Sequence, residues 1–361
     1  METTRYNRQI ILPEVGTIGQ QKLQQAKVLI IGAGGLGAAV LPYLAAAGIG
    51  EIGIIDDDRI EVTNLQRQVI YKNSAVGKSK VLEAKAMALA LNPSIKINAI
   101  TEKLDSKNAI SLFSQYDIMV DATDNLNTKY LINDACCVTN KPFVYGSVYK
   151  FQGQVSVFNY KNGPTYRCLF PEESVQVGNC NDAGVMGISV GIIGMFQANE
   201  VLKIVLEIGE VIHGKLLVYN ILNNEQQMFE FSKSDAATMD EFAFKKKYAV
   251  SENTDSEIAA VTALEQMHHP EVVFLDVRNF DEYPKITIVN SVQIPLDTLE
   301  KEYRQLETNA TVFVFCQSGI RSKKAAEILR NNNFRNVKSI AGGAIALDKI
   351  DTYKVLETLQ D

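Results

Sequence analysis

The sequence predicts an α/β protein: a mainly parallel sheet with antiparallel additions, followed by a second, smaller α/β domain. Three observations carry this expectation. Short apolar runs alternate with helix-length segments from Lys27 to Val148. A glycine-rich turn joins the first run to the first helix. The alternation then lapses into a polar stretch and resumes beyond it. Strands alternating with helices imply parallel pairing, with helices covering the sheet faces.

Taken in order, the apolar run Lys27–Ile31 leads into Gly32-Ala33-Gly34-Gly35-Leu36-Gly37 and an apolar helical stretch to Ala47. A second strand, Ile52–Ile55, ends in Asp56. Strands follow at Ile95–Thr101, Asp117–Asp121 and Phe143–Val148, with helices at Lys78–Leu91 and Lys129–Thr139 between them. Gln154–Asn159, Leu216–Leu222 and Glu225–Phe231 read as antiparallel additions. Residues 1–231 thus form a Rossmann-like domain. From 232 to 257 the chain is polar, with charge clusters and weak periodicity, and reads as a linker with room for a short helix. A further unit spans 258–361, with strands at Val272–Leu275 and Val312–Phe315 and a helix at Ser322–Asn331.

A chain of 361 residues suits about two domains. Its net charge of −6 argues against nucleic-acid or anionic membrane partners. No signal-like apolar stretch opens the sequence. The apolar segment from Ala183 to Ile208 is broken by Gln197, Asn199, Glu200, Lys203 and Glu207, which favours a buried helix over a membrane span. Five cysteines, at 136, 137, 168, 180 and 316, form no disulfide-like framework, so a reducing, cytoplasmic setting is expected.

Gly32, Gly34 and Gly37 make GxGxxG between a strand and a helix. Glycine permits a tight turn and close phosphate approach, and the helix N-terminus offers free N–H groups to an anion. Asp56 is placed to accept from a ribose. This much suits an NAD-dependent oxidoreductase equally well. The run Asp56-Asp57-Asp58-Arg59-Ile60-Glu61-Val62-Thr63-Asn64-Leu65-Gln66-Arg67-Gln68 changes the balance, because a dehydrogenase would start its next helix there. Arg67, Lys80 and Arg8, with Asn64, could cradle a triphosphate. In Asp121-Ala122-Thr123-Asp124-Asn125, Asp124 is the candidate for holding Mg²⁺ and Asp121 is expected to be structural. Asp58 stands open between the two roles.

With RYNRQIILPEVG, GAGGLG, DDDRIEVTNLQRQ, GKSK, DATDN and NCNDAGVMG in this order, residues 4–230 resemble the ThiF/MoeB family of ubiquitin-activating-like enzymes. The resemblance implies ATP-dependent adenylation of a ubiquitin-like sulfur-carrier protein ending in Gly-Gly. Gly35, Asp56, Asn64, Arg67, Lys80 and Asp124 would contact ATP and its metal, with Asn125 closing the last motif. Arg8 would reach into a partner subunit's site, which implies a homodimer. Activation for protein conjugation is the alternative. Cys180 matches a family cysteine that is a candidate for covalent sulfur handling. Many relatives hold zinc with two Cys-x-x-Cys pairs. Here Thr165-Tyr166-Arg167-Cys168 lacks one ligand and no second pair follows, so no zinc is expected. Cys168 is then a relic of that pair or a packing residue, and Cys136 and Cys137, in an apolar helical pattern, are expected in the core.

The second unit contains Asp276-Val277-Arg278, Glu282-Tyr283 and Cys316-Gln317-Ser318-Gly319-Ile320-Arg321-Ser322. It resembles the rhodanese family over about residues 257–355, which implies a small α/β rhodanese domain. A cysteine between strand and helix meets a nest of N–H groups that favours a thiolate or persulfide. The spacing Cys316-x4-Arg321 is one residue tighter than the Cys-x5-Arg of cysteine phosphatases. Asp276 and Arg278 read as a structural pair. The combined expectation is a relay: adenylation in the first domain, then transfer of sulfur from Cys316, loaded by a donor such as a cysteine desulfurase or thiosulfate.

Overall fold

The structure, a computed structural model, describes residues 3–171, 184–234, 239–249, 257–332 and 334–350. Its contacts divide the chain into two units, Met1–Lys246 and Lys247–Asp361.

The first unit begins with α1 (Thr3–Ile10) and α2 (Gly16–Gln25), then β1 (Lys27–Ile31), α3 (Gly35–Ala47) and β2 (Glu51–Ile55). It continues with α4 (Lys80–Leu91), β3 (Lys96–Ile100), α5 (Ala109–Phe113), β4 (Ile118–Asp121) and α6 (Leu126–Thr139). Next come β5 (Phe143–Tyr149), β6 (Gln152–Phe158), α7 (Tyr166–Leu169), α8 (Gly187–Leu206), β7 (Lys215–Asn220) and β8 (Glu225–Glu230).

The strands form one sheet in the order β3-β2-β1-β4-β5-β6-β7-β8. Pairing is parallel from β3 to β5 and antiparallel from β5 to β8. Val28, Leu29, Ile30 and Ile31 of β1 are all buried. A strand covered on both faces reads as an unbroken apolar run, each such side chain stabilising the fold by about 1.5–3 kcal/mol.

Helix α3 continues through Pro42 although proline forfeits a helical hydrogen bond, because Leu36, Val40, Leu41 and Leu44 are buried and α3 packs along α8. By length and composition α8 could cross a membrane. In the fold, Val190, Ile193, Gln197 and Val201 make a buried stripe at helical spacing, and α8 lies against α3, β5 and β6. The chain passes from β1 out to β3 and returns on the other side to β4. The carboxyl ends of β1 and β4 therefore flank a topological switch point, where open α/β sheets bind ligands.

Helix α9 (Glu241–Ala249) forms inside the stretch read as linker. The second unit adds β9 (Glu257–Ile258), α10 (Ala260–Leu264), β10 (Val272–Asp276), β11 (Ser291–Gln293), α11 (Leu299–Glu302), β12 (Thr311–Phe315), α12 (Ile320–Asn331), β13 (Asn336–Ile340) and α13 (Gly343–Asp348). Its five strands are all parallel, in the order β11-β10-β12-β13-β9. Phe274, Phe313 and Phe315 anchor one core. The switch point here lies between β10 and β12, and Cys316 follows the last residue of β12.

Candidate active sites on the two units

The glycine loop is built by steric necessity. Gly32 has φ +97°, and a Cβ there would meet Ala122 O at 2.7 Å. The loop after β1 is therefore pressed against the loop after β4. A Cβ on Gly37 would lie 2.1 Å from Gly32 O, so only glycine lets α3 start this close to the turn. Gly35 faces Val190, whose Cγ2 would be 2.9 Å from an added Cβ. At Gly34 the nearest atom is Gln68 Nε2, at 3.8 Å, so that side is open. Asp56 closes the loop from below: Oδ2 accepts from Ala33 N at 2.7 Å and Oδ1 from Asp58 N at 2.8 Å. Burial lifts the Asp56 carboxyl above the usual carboxylate range, against the pull of those two N–H groups and of Lys80.

The polar run after Asp56 forms no α-helix. Val62–Asn64 is a single 3-10 turn, in which buried Asn64 accepts from Glu61 N at 3.1 Å through Oδ1. Arg67, half-buried, donates to Thr63 O at 3.0 Å. Lys80 returns to this region because residues 58–60 pair with 77–80: Ile60 N donates to Lys78 O, Gly77 N to Ile60 O, and Lys80 N to Asp58 O. The buried Lys80 ammonium meets Asp58 Oδ2 at 2.6 Å. Asp58 is thus the partner of Lys80. Sequence reasoning assigned no role to Gln68 and Tyr71, which also sit at the loop. Tyr71 OH donates to Ala33 O at 2.7 Å, and buried Gln68 Oε1 has no hydrogen-bond partner. Gln68 closes the DDDRIEVTNLQRQ run, and a polar side chain there was the available signal.

On the other side of the switch point, Asp121 is fully buried and pairs with buried Lys129 at 2.9 Å, while its other oxygen accepts from Thr123. Asp124, in the following loop, is exposed. Asn125 caps α6, accepting from Thr128 N at 3.1 Å. Asp56, Asp57 and Asp58 are the one group of three potential metal-ligating side chains found together among the described residues. Asp56 and Asp58 already hold N–H groups and an ammonium.

Arg8 is not brought to this loop within one chain. It is exposed on α1, whose neighbouring Gln9 donates to Ala47 O and whose Tyr6 bonds to Asn92. Those anchors lie at the far end of α3, about 20 Å from its glycine loop at 1.5 Å per residue. Cys180 falls outside the described residues.

Cys136 is fully buried, and burial pushes its thiol well up. Cys137 is only half-buried rather than a full core residue. Cys168 also does more than fill space. Its Sγ accepts from Thr165 N and Ser234 N, each at 3.3 Å.

In the second unit, Cys316 opens the loop between β12 and α12 with almost no exposure. Its Sγ accepts from Gly319 N at 3.2 Å. Burial alone would raise this thiol's pKa. Backbone N–H groups of Ser322, Ser318 and Gly319 and the Ser322 hydroxyl outweigh it, leaving the thiol below its ordinary value. Ala344 N and Ile345 N of α13 hold the Cys316 and Gln317 carbonyls from behind. Ile320 is exposed at the loop's rim. Arg321 is not a bare cation: it grips Glu282 with two hydrogen bonds, of 2.7 and 2.5 Å. Arg278 pairs with Asp276 at 2.7 Å and reaches Gln317 Oε1 at 3.3 Å, so this pair also buttresses the loop.

The ThiF family model matches residues 6–239. The chain belongs to the ThiF family. A rhodanese-like domain model matches residues 259–347, so a ThiF unit and a rhodanese-like unit share one chain. An Anopheles gambiae protein named adenylyltransferase and sulfurtransferase MOCS3 is 37% identical, covering 96% of this chain and 87% of that protein. A Porphyra purpurea protein named probable molybdopterin-synthase adenylyltransferase is 36% identical, covering 95% of this chain and 92% of that protein. Among solved structures, Escherichia coli MccB with AMPCPP and MccA matches at a TM-score of 0.58 and 25% identity, covering 65% of this chain and 73% of that one. With the ThiF unit and the Cys316 loop together, this is an enzyme of the combined adenylyltransferase and sulfurtransferase class.

Proposed function

We propose that the ThiF unit uses ATP to adenylate the C-terminal carboxylate of a ubiquitin-like sulfur-carrier protein ending in Gly-Gly, and that Cys316 then delivers sulfur to the activated carbonyl. The observation that carries this reading is the presence of two switch-point sites on one chain: an open glycine loop beside Asp56 and the Lys80 ammonium, and a thiol whose pKa is lowered by the N–H groups of its loop. The first site offers N–H groups at Gly34 and Gly35 and cations at Lys80 and Arg67. Such groups absorb the charge that builds as the carrier carboxylate attacks the α-phosphate and pyrophosphate leaves. No general base is needed, because a terminal carboxylate is already ionised at neutral pH.

A divalent cation, expected as Mg²⁺, fits the donor set. Asp124 is an exposed carboxylate in the loop after β4, and Ala122 of that loop abuts Gly32, while Mg²⁺ favours one or two carboxylates plus phosphate oxygens. When bound it would shield phosphate charge. In this reading Asp56, beside the glycine loop, takes the ribose hydroxyls, and Asn64 and Asn125 are further nucleotide contacts. The position of Arg8, far from its own loop, supports a homodimer in which it serves the partner subunit's site.

In the second step the Cys316 persulfide attacks the acyl carbon and AMP departs with its electron pair. Reductive cleavage by a thiol then leaves a thiocarboxylate on the carrier. The donor that loads Cys316 is a cysteine desulfurase or thiosulfate. The relatives' names favour a molybdopterin-related carrier over a thiamine-related one. Four free thiols among the described residues support a reducing, cytoplasmic setting.

Mass spectrometry of candidate carriers incubated with enzyme, ATP and a sulfur donor tests this reading. Replacement of one carrier oxygen by sulfur is expected. A carrier joined to a protein lysine would favour conjugation instead.

A further inference from the structure

The Cys316 thiol lies against two buried serines that the loop motif does not include. Ser322, in the first turn of α12, and Ser339, on β13, are both fully buried. Ser322 Oγ is 3.7 Å from Cys316 Sγ, 3.0 Å from Gly319 O and 2.8 Å from Ser339 Oγ. Buried hydroxyls often do no more than satisfy one another. Here the third neighbour is the reacting sulfur.

We propose that Ser322, backed by Ser339, is a positioning residue for the Cys316 sulfur, accepting from the thiol and donating to the thiolate without movement of any heavy atom. A hydroxyl has one proton and two lone pairs, so it can exchange these roles. While Cys316 carries its proton, S–H donates to Ser322 Oγ and the Ser322 proton points to Gly319 O. Once the proton has left to solvent, the sulfur can only accept. Ser322 then turns its proton to the sulfur, and Ser339 continues to donate to Ser322 Oγ. Gly319 O gives up one donor in exchange for a stabilised anion. The same hydroxyl holds the inner sulfur of the persulfide in line at the loop.

The charged groups around this thiol are Arg321, paired with Glu282, and Arg278, paired with Asp276. Glu282 is held low, chiefly by its hydrogen bond to Arg321, so that pair stays charged at neutral pH. The lowered pKa of Cys316, to which the Ser322 side chain contributes, agrees with the geometry.

This inference rests on Cys316 being the sulfur carrier, yet its test reads the thiolate directly. The rate of iodoacetamide alkylation of Cys316 is followed against pH in the full-length protein, by mass spectrometry of the peptide that contains it. Ser322→Ala is expected to raise the midpoint by about one pH unit, the loss of one hydrogen bond to an anion. Ser322→Thr, which keeps the hydroxyl, should return most of that shift, and Ser339→Ala should give a smaller rise. A Ser322→Ala profile that overlies the wild type overturns the proposal. So does a Ser322→Thr shift as large as that of alanine, since packing alone would then explain it. If Ser322→Ala does not fold, an unshifted Ser339→Ala profile overturns it instead. A failure of Cys316 to transfer sulfur would leave these profiles unchanged and would count against the proposed function alone.

Discussion

Two neighbouring glycines should separate binding from folding. A methyl group at Gly34 would meet nothing closer than Gln68 Nε2 at 3.8 Å, and Gly34 has φ −78°, which alanine adopts without strain. Gly34→Ala should therefore change the melting temperature little, while placing a methyl group in the space assigned to the phosphates. A methyl group at Gly37 would lie 2.1 Å from Gly32 O, more than 1 Å inside ordinary contact. The loop or the start of α3 must then shift by about 1 Å, at a cost of about 1–3 kcal/mol, typical of overpacking. A misplacement of that size at a reacting centre can lower the rate by about 10²-fold. Carrier-dependent ATP–pyrophosphate exchange and thermal unfolding, measured on the same preparations, read both effects. The expected pattern is a raised KM for ATP with unchanged Tm in Gly34→Ala, and loss of both exchange and Tm in Gly37→Ala. An unchanged KM for ATP in Gly34→Ala would refute the assignment of that open face to the nucleotide.

Lys80→Met should lower pyrophosphate exchange by about 10²-fold, because a cation at the developing charge is lost, while stability falls little, since Asp58 stays solvated. Lys129→Met should have the opposite balance. It strands the buried Asp121 carboxylate, and chemical denaturation should show a loss of about 3–5 kcal/mol. Glu282 is held at about 2, chiefly by its hydrogen bond to Arg321. A depressed carboxyl stabilises the fold above its unfolded pKa near 4.5, and that contribution fades as pH falls from there towards 2. Calorimetry should find the rhodanese-like unit of Glu282→Gln weaker by about 1 kcal/mol at pH 7, as for a partly exposed pair, with the gap to wild type narrowing in acid. A constant gap would rule out the charge pair as its source.

The fold was legible where burial left a plain pattern. Val28–Ile31 is apolar on both faces, as are Phe143–Tyr145 and Val312–Phe315. β13 (Asn-Val-Lys-Ser-Ile) mixes polar and apolar positions and β11 has three residues, so neither stands out from its neighbours. Helix α4 begins at Lys80 rather than Lys78, because residues 77–80 are held in a pairing with 58–60 that no local signal marks. The motifs similarly placed the glycine loop, the Asp56–Arg67 run and Lys80 in one region. They could not show that Asp58 holds Lys80, that Glu282 holds Arg321, or that Ser339 stands behind Ser322. Each of those contacts joins residues far apart in sequence, and a single chain read along its length carries no trace of them. The sequence leaves Cys168 as a relic or a packing residue, whereas its sulfur gathers the two N–H groups of Thr165 and Ser234.

The division of labour between the two units is tested most directly with Cys316→Ala. Carrier-dependent pyrophosphate exchange should persist at the wild-type rate, while the carrier gains no sulfur. Thiocarboxylate formed by that variant, or the loss of exchange together with sulfur transfer, would contradict the account.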